Sequence, residues 1–278
     1  MSRTWLITGA SSGFGYEIAR QLLERGDRVV GTVRNVKKIE KLLELYPDRF
    51  FYQQLDVTDV DQVKKVIQDA FSEQGKIDVL VSNAGYGLYG AAEEFSKEEI
   101  EHVIKTNLTG SIAVIQSALP FLRKQKSGRI IQVSSVAGQV GYLGNSLYNA
   151  TKFGIEGYCE ALTLEMAPFH VGVTIVEPGG ARTDFRYGGA KVAANLIPEY
   201  EHAHGFLEML NPRKGLAPGD PAAMASRMIE SVDIEPAPLH MVLGSKALEQ
   251  TIDALSKRLD SFKNQKELAA STDIVERF

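Results

Sequence analysis

Residues 5–23, WLITGASSGFGYEIARQLL, contain the signals from which the fold can be inferred. The first four residues form an apolar run of the length expected for a buried strand, and a glycine-rich turn follows directly. The apolar residues of the next segment have helical spacing; they are Ile18, Ala19, Leu22 and Leu23. A strand, a tight turn and an amphipathic helix in this order predict the start of a β-α-β unit.

Further apolar runs of similar length follow along the chain, at 28–33, 50–55, 79–82, 129–134, 173–177 and 240–243. Amphipathic segments separate them, so that strand and helix alternate at least through residue 177. This alternation predicts a parallel sheet covered on both faces by right-handed crossovers. We therefore expect an α/β fold with a doubly wound, Rossmann-type sheet, and we assign residues 1–278 to a single domain.

Two regions depart from this alternation of strands and helices. Residues 184–220 are rich in proline, glycine and aromatic residues, which predicts a substrate lid rather than a plain connection. Residues 245–278 are expected to form a C-terminal helical extension. Its apolar residues step by four and three positions, so we expect this face to pack on the body or on a second subunit; they are Leu248, Ile252, Leu255, Leu259 and Phe262.

Composition excludes several classes of function. The 278-residue chain has a net charge of -4 and no basic run interleaved with aromatics, so we expect no nucleic-acid partner. Small neutral or anionic partners stay open. No apolar stretch approaches the roughly 18 residues of a membrane span, and no signal segment follows Met1. We expect a soluble, cytoplasmic protein with no membrane partner.

Metal binding is not expected. Cys159 is the single cysteine, which excludes an internal disulfide and a cysteine-based metal cage. His202 and His204 lie two positions apart in the predicted lid and cannot share a helix face, so we place them on its surface.

The glycine-rich turn predicts a phosphate site. Glycines let the backbone turn tightly beside a pyrophosphate, and the free N–H groups of the following helix favour its negative charge. The alternative is an ordinary strand-to-helix turn, which the position after the first strand makes the weaker interpretation. The predicted cofactor-binding residues of this turn are Gly9, Ser11, Ser12, Gly13, Phe14 and Gly15.

The end of the second predicted strand indicates which dinucleotide is bound. An acidic residue at this point is typical of NAD sites, whereas an arginine accommodates the 2′-phosphate of NADP. Here the strand ends at Arg34 with no acid, which favours NADP(H), unless Arg34 is simply a solvated charge. At the end of the third strand, Asp56 and Val57 are candidates for the adenine, although an acid before a helix is equally a cap.

A serine, a tyrosine and a lysine predict an acid–base site. Tyr148 and Lys152 are four positions apart and share a face if the segment is helical, while Ser135 follows a predicted strand. A phenol is a poor acid near neutrality unless a neighbouring cation stabilises its phenolate, and Lys152 is placed to be that cation. By itself the pair also occurs by chance on helices whose lysine extends into solvent.

Taken together, these motifs resemble the short-chain dehydrogenase/reductase family. Residues 8–15 look like its TGxxxGxG turn, and Ser135 lies 13 positions before Tyr148, as in the family pattern. The resemblance implies a single dinucleotide-binding oxidoreductase domain and adds further site residues. Asn83, Ala84 and Gly85 match the NAG motif beside the cofactor, Asn107 matches an asparagine that holds a water, and Pro178, Gly179 and Thr183 match the segment that meets the nicotinamide.

Three departures from the family pattern are visible. Phe14 stands where Ile or Leu is commoner, and Ser82 replaces an Asn often found before the NAG motif. The chain also continues some 30 residues beyond the last strand, whereas tetrameric members usually end there. Small residues on the helix of Tyr148 favour a homodimer across that helix; they are Ala150, Gly154, Gly157 and Ala161.

The leading hypothesis is an NADPH-dependent carbonyl reductase that also works as an alcohol dehydrogenase. Tyr148 would donate the proton, Ser135 would bind the carbonyl oxygen and Lys152 would lower the tyrosine pKa. Two alternatives stay open, an epimerase or dehydratase of the same fold and a non-catalytic sensor of NADP(H). The predicted pocket favours a hydrophobic ketone or secondary alcohol, and the alternative is that its residues serve only to pack the loops; they are Tyr86, Leu88, Tyr142, Leu143, Phe185 and Phe206.

Overall fold

A computed structural model describes residues 2–274. Seven parallel strands form its central sheet, in the order β3-β2-β1-β4-β6-β7-β9, and two short strands form a second sheet. All seven predicted strands are confirmed. The strands are β1 Thr4–Thr8, β2 Arg28–Val33, β3 Phe50–Gln54, β4 Val79–Ser82, β5 Leu88–Tyr89, β6 Gly128–Val133, β7 Val171–Pro178, β8 Lys191–Val192 and β9 His240–Leu243.

Helices connect the strands and cover both faces of the sheet. They are α1 Gly13–Glu24, α2 Glu40–Leu45, α3 Val60–Gln74, α4 Lys97–Ile104, α5 Gly110–Gln125, α6 Ser146–Met166, α7 Asp184–Tyr187, α8 Phe206–Leu210, α9 Pro221–Glu230, α10 Ser245–Lys263 and α11 Lys266–Ala270. Within residues 2–274, each helix is too short or too polar to cross a membrane.

Strand β1 shows why the sheet is doubly wound. Its successive side chains point to opposite faces, and every residue of the strand is buried. Trp5 and Ile7 join the core built with α1 and α9, while Leu6 joins the core built with α3, α5 and α6. A continuous apolar run is stable only where both faces are covered, so the predicted α/β architecture is confirmed.

The strand order places the predicted site residues at one edge of the sheet. The sheet grows in one direction from β1 through β2 to β3 and in the other from β4 through β6, β7 and β9. Because all neighbours are parallel, the carboxyl ends of β1, β4, β6 and β7 meet at the same edge. This reversal of strand order opens a crevice there, where ligands bind in folds of this type.

The second sheet was not predicted from the sequence. Leu88 pairs with Lys191 and Tyr89 pairs with Val192, so that the chain after β7 is joined to the loop after β4. The segment 184–220 contains β8 and two short helices, α7 and α8. Its action as a lid stays a prediction.

The C-terminal extension differs from the expectation in its orientation. Small residues of α10, Ala247 and Thr251, are buried against the body. Near the end of the helix, Arg258 donates to the Gln139 carbonyl oxygen across 3.1 Å. The five apolar residues of the predicted face are instead 42 to 62% exposed, so this face does not pack on the body; its packing on a second subunit stays a prediction. Residues 275–278 of the predicted extension lie outside the described residues.

Candidate active site

A cavity of about 1110 Å³ opens at the carboxyl edge of the sheet. The loops after β1, β4, β6 and β7 contribute to it, together with parts of segment 184–220 and the start of α10. Most of the predicted site residues line it. These are Gly9, Ser11, Ser12, Gly13, Phe14, Arg34, Asp56, Val57, Asn83, Ala84, Gly85, Tyr86, Ser135, Tyr142, Tyr148, Lys152, Pro178, Gly179, Thr183 and Phe185.

The glycine-rich turn has the geometry of a phosphate cradle. Gly9 and Gly13 have φ angles of +70° and +55°, in the left-handed region that favours glycine. Gly15 does not line the cavity but lies beneath the turn, where a Cβ would come within 2.3 Å of the Gly9 carbonyl oxygen. Among the described residues, no side chain caps the start of α1, so its first N–H groups are available to an anion. The turn therefore fits the pyrophosphate of a dinucleotide.

Asn83 connects the ends of β1 and β4 beneath this turn. Its Nδ2 donates to the carbonyl oxygen of Thr8 across 2.9 Å and to that of Gly9 across 3.3 Å. In return, Thr8 Oγ1 accepts from the backbone N–H of Asn83 at 2.9 Å and of Ala84 at 3.1 Å. These bonds hold the turn in the crevice where the strand order reverses.

Two cations and one carboxylate lie at the far end of the cavity. Burial raises the pKa of Asp56, but hydrogen bonds from Thr58 and the charge of Arg34 outweigh it, so this pKa is below its ordinary value. Lys38 lines the cavity together with Arg34 and was not predicted from the sequence. Neither of these two cations forms an ion pair with another residue of the described range 2–274.

Ser135, Tyr148 and Lys152 meet at the centre of the cavity. The Ser135 hydroxyl accepts a hydrogen bond from the backbone N–H of Ala137 at 3.2 Å, and its proximity to the Tyr148 hydroxyl favours ionisation of that phenol. Lys152 Nζ lies 5.6 Å from the centroid of the Tyr148 ring and donates to the Val133 carbonyl oxygen across 3.1 Å. Tyr148 and Lys152 therefore share one face of a helix, α6, as their spacing predicts.

Burial changes the acidity of both α6 side chains. Burial raises the pKa of Tyr148 well above its ordinary value, and the nearby Tyr89 adds to this, whereas the Ser135 hydroxyl opposes it. Burial also lowers the pKa of Lys152 to about 8, against the opposing charge of Glu156. A group that titrates close to neutrality beside a buried phenol is an arrangement suited to proton transfer.

Asn107 is buried and does not line the cavity. It lies in a π-helical turn, Lys105–Thr109, between α4 and α5. Its side-chain amide is engaged by the backbone of Tyr86, with Nδ2 donating at 2.8 Å and Oδ1 accepting at 3.0 Å. A longer contact of 3.5 Å joins it to Thr151, next to Lys152. Its role in holding a water stays a prediction.

Aromatic side chains flank the phenol within the cavity. The ring centroids of Tyr89 and Phe185 lie 6.4 and 6.1 Å from that of Tyr148. Tyr142 also lines the cavity, and its hydroxyl donates to Gln250 of α10 across 2.9 Å. Gln250 was missed in the sequence, because no local pattern there links the C-terminal helix to the site.

Three predicted pocket residues do not line the cavity. Leu88 is buried within β5, where it packs instead of facing the crevice. Leu143 is 66% exposed on the loop that carries Tyr142. Phe206 is buried behind Tyr89, with ring centroids 5.8 Å apart. Packing of the loops, the alternative considered above, accounts for Leu88 and Phe206.

Comparison with known families agrees with this geometry. The family model described as short chain dehydrogenase matches residues 3–191, more than half of the chain. The chain belongs to the short-chain dehydrogenase family. A solved short-chain dehydrogenase from Streptomyces avermitilis superposes on it with a TM-score of 0.92 at 35% identity, covering 99% of this chain and 100% of the other.

The names of other similar proteins record different activities. The oxidoreductase BOA17 of Botryotinia fuckeliana is 34% identical over 90% of this chain and 91% of its own. The 3-ketodihydrosphingosine reductase of Bacteroides thetaiotaomicron is 41% identical over 65% of this chain and 64% of its own. An alcohol dehydrogenase from Thermococcus sibiricus, solved with 5-hydroxy-NADP, has a TM-score of 0.72 at 25% identity, covering 87% of this chain and 96% of its own. This short-chain dehydrogenase is accordingly an NAD(P)-dependent oxidoreductase with a small-molecule substrate.

Proposed function

We propose that this short-chain dehydrogenase is an NADPH-dependent carbonyl reductase that also oxidises the corresponding secondary alcohol. The observation that carries the proposal is the meeting of Ser135, Tyr148 and Lys152 in the same cavity as the glycine-rich turn. A proton donor and a dinucleotide cradle facing one space are the two parts that carbonyl reduction needs.

The chain's own residues supply the proton and stabilise charge. When bound, the nicotinamide cofactor supplies the hydride. Tyr148 gives its hydroxyl proton to the carbonyl oxygen, and Ser135 donates a hydrogen bond to the same oxygen as negative charge develops on it. Lys152 keeps a positive charge beside the phenol, which lowers the cost of the phenolate left by proton transfer. In the proposed site, Asn107 positions a water through which the proton is replaced.

The proposed preference for NADPH over NADH rests on Arg34 and Lys38, which are unpaired among the residues that the structure describes. Arg34 and Lys38 line the end of the cavity beyond the glycine-rich turn, where a 2′-phosphate on the adenosine ribose would lie. Two positive groups that form no ion pair with any residue of the range 2–274, beside the single carboxylate of Asp56, favour a dianionic phosphate. The NADP-type cofactor of the Thermococcus sibiricus structure is consistent with this preference.

The aromatic lining supports a hydrophobic ketone as substrate. Tyr89 and Phe185 flank the phenol, and Met209 and Leu216 also line the cavity. Apolar walls with a few polar groups bind apolar molecules whose carbonyl is the one group to be oriented. The name of the Bacteroides reductase likewise refers to reduction of a 3-keto compound. Segment 184–220 is the proposed lid over this substrate.

A homodimer across α6 completes the proposal. Ala150, Gly154, Gly157 and Ala161 are all exposed on one side of that helix. Small side chains permit close approach of a second helix, and the opposite side of α6 carries the site.

The test measures loss of NADPH absorbance with a panel of ketones that runs from small polar to bulky apolar compounds. Oxidation that is faster with NADPH than with NADH, and fastest with bulky apolar ketones, supports the proposal. Binding of NADPH without oxidation by any ketone contradicts it and favours a sensor. Turnover of small polar ketones alone contradicts the assigned substrate class but not the reductase.

A further inference from the structure

A pair of buried carboxyl groups behind the site takes no part in the mechanism described above. Glu156 of α6 is 2% exposed and Glu177 of β7 is 1% exposed. Glu156 follows Lys152 by one helical turn, on the face that carries Tyr148. Burial of two carboxyl groups costs free energy unless each is hydrogen-bonded, so the burial of this pair calls for a physical explanation.

Hydrogen bonds connect the pair to the end of β6 and to the following turn. Ser134 Oγ donates to Glu156 Oε1. Gln139 Nε2 donates to Glu156 Oε2 across 2.7 Å and to Glu177 Oε1 across 3.2 Å. The Glu156 carboxyl group lies so close to Gly138 that a Cβ there would overlap it. The carboxyl group is therefore held in one position from several sides.

Three consecutive residues at the end of β6 each contact α6. The Val133 carbonyl oxygen accepts from Lys152, Ser134 donates to Glu156, and the Ser135 hydroxyl lies near enough to that of Tyr148 to influence its pKa. The helix residues of these pairs lie on successive turns of one face. Ser134, which lies between the two strand-end residues that the mechanism uses, thus contacts α6 one turn beyond Lys152.

We propose that Glu156 is a positioning residue of the reductase site: through Ser134 it holds the strand end that carries Ser135 against α6, and its carboxylate supports the charged form of Lys152. This inference rests on the proposed function. Glu156 itself lines no part of the cavity, so it acts through its neighbours.

Charged groups face Glu156 from three elements. Lys152 lies on α6, Glu177 on β7 and His240 on β9. His240 Nδ1 lies 2.6 Å from Glu177 Oε1, and its Nε2 lies 3.6 Å from the carboxylate of Glu160 at the protein surface. The cluster therefore extends from the site to solvent.

The proton on Glu156 changes near neutrality. Burial raises its pKa to about 7, the hydrogen bond from Ser134 opposes this, the charge of Glu177 adds to it, and His240 and Lys152 oppose it. Once ionised, Glu156 raises the pKa of Lys152 and so opposes the effect of burial on the ammonium group. Loss of this carboxylate leaves Lys152 easier to deprotonate, and the site loses its cation at a lower pH.

The experiment compares the pH profile of kcat/KM in the full-length wild type, Glu156→Gln and Glu160→Gln, with NADPH and the best ketone of the panel. Glu160→Gln is the matched control, because it lies on the same helix at the exposed end of the cluster. We expect the alkaline limb of the Glu156→Gln pH profile to move to lower pH. Relative to wild type, kcat/KM at about pH 8.5 should be reduced about threefold further than at neutrality. A profile that superimposes on wild type, or an equal move in Glu160→Gln, would overturn the proposal.

A second readout does not depend on turnover. Titration of the Lys152 side chain, followed by NMR with lysine carrying a 13C label at Cε and assigned with Lys152→Met, should show a lower pKa in Glu156→Gln than in wild type. An unchanged titration contradicts the proposal even if the enzyme is active. A protein that oxidises no NADPH with any ketone, yet shows the shifted titration, contradicts the proposed function and supports the coupling.

A further variant covers the case in which Glu156→Gln does not fold. Ser134→Ala removes the donor that lowers the pKa of Glu156, so Glu156 retains its proton to higher pH and supports Lys152 less. We expect the Lys152 titration to move in the same direction, by a smaller amount. An unchanged Lys152 titration in Ser134→Ala would contradict the proposed coupling through Ser134.

Discussion

The Lys152 ammonium group donates to the carbonyl oxygen of Val133 across 3.1 Å, one residue before the hydroxyl pair at the end of β6. This bond fixes the helix register relative to the strand, and it orients the cation beside the Tyr148 ring. Among the described residues, this buried ammonium has one hydrogen-bond acceptor, so it is incompletely solvated, which is why burial lowers its pKa to about 8. The site therefore holds a cation that other charges can readily influence.

Removal of the phenolic hydroxyl tests the proton donor. We expect Tyr148→Phe to lower kcat by about 10²–10⁴-fold while NADPH still binds, because general acid catalysis contributes about this factor. The ring itself packs against Tyr89 and Phe185 and is retained, so the fold should persist. Tyr142→Phe is the control, since its hydroxyl contacts Gln250 at the cavity wall. Similar losses of kcat in both variants would contradict the assignment of Tyr148 as the proton donor.

Charge reversal at the cofactor end tests the preference for NADPH. Arg34→Asp should raise the KM for NADPH by about 10–100-fold and leave that for NADH nearly unchanged, because a charge-assisted hydrogen bond to phosphate contributes about 1.5–3 kcal/mol. Steady-state kinetics with both cofactors measure this. Lys37→Gln serves as the control, because Lys37 is exposed beside Lys38 but does not line the cavity. An equal change for both cofactors would contradict the assigned role.

The packing beneath the glycine-rich turn gives a prediction about stability. A Cβ at position 15 would lie 2.3 Å from the Gly9 carbonyl oxygen and 2.6 Å from Asn83 Nδ2. Gly15→Ala should therefore displace the turn, lower the stability by about 1–3 kcal/mol and abolish NADPH binding. Gly141→Ala is the matched variant, since a Cβ there meets nothing within 4 Å. Urea unfolding and cofactor fluorescence together measure both effects.

The buried carboxyl group predicts how stability depends on pH. The pKa of Glu156 is raised from 4.5 to about 7 in the folded protein, so the native state binds this proton more tightly than the unfolded chain. The resulting stability is fully present below about pH 4.5 and is lost as the pH rises through about 7. Relative to Glu156→Gln, wild type should lose about 1–3 kcal/mol of its free energy of unfolding between about pH 5 and pH 8. Urea unfolding at both pH values checks this, and parallel curves for the two proteins would contradict it.

The proposed dimer predicts a mass of twice 30.5 kDa in solution. Ala161→Arg should give the monomer, because a long charged side chain prevents close approach of two α6 helices. Light scattering measures this at several concentrations. A wild-type protein that shows only the 30.5 kDa species contradicts the dimer.

Local patterns in the sequence determined much of this protein. Short apolar runs separated by amphipathic segments were sufficient for the seven strands and the doubly wound sheet, because strand burial and helix periodicity are properties of neighbouring residues. The glycine-rich turn and the Tyr148–Lys152 spacing were recognisable for the same reason. Both are encoded within a few positions of the chain.

Other features arise only where distant segments meet. Glu177 and His240 are 63 positions apart, and neither forms a motif with Glu156 in the sequence. Lys38 joins Arg34 at the cavity only because of the turn after β2, in which Asn35 accepts a hydrogen bond from Lys37. Glu156 did carry one signal, its position one turn after Lys152, but helical spacing does not show that a carboxylate is buried.

The orientation of α10 illustrates the same limit. Its apolar residues recur with the period of a helix that packs on a core, and periodicity shows that one face is apolar without showing what covers it. In the folded chain, Ala247 and Thr251 face the body, and the larger apolar side chains face outward. The sequence by itself determined the seven strands of the central sheet, their succession along the chain and the spacing of Tyr148 and Lys152, because those depend on local periodicity. Only the tertiary structure decided which faces and charges meet, because that depends on the packing of elements far apart in the chain.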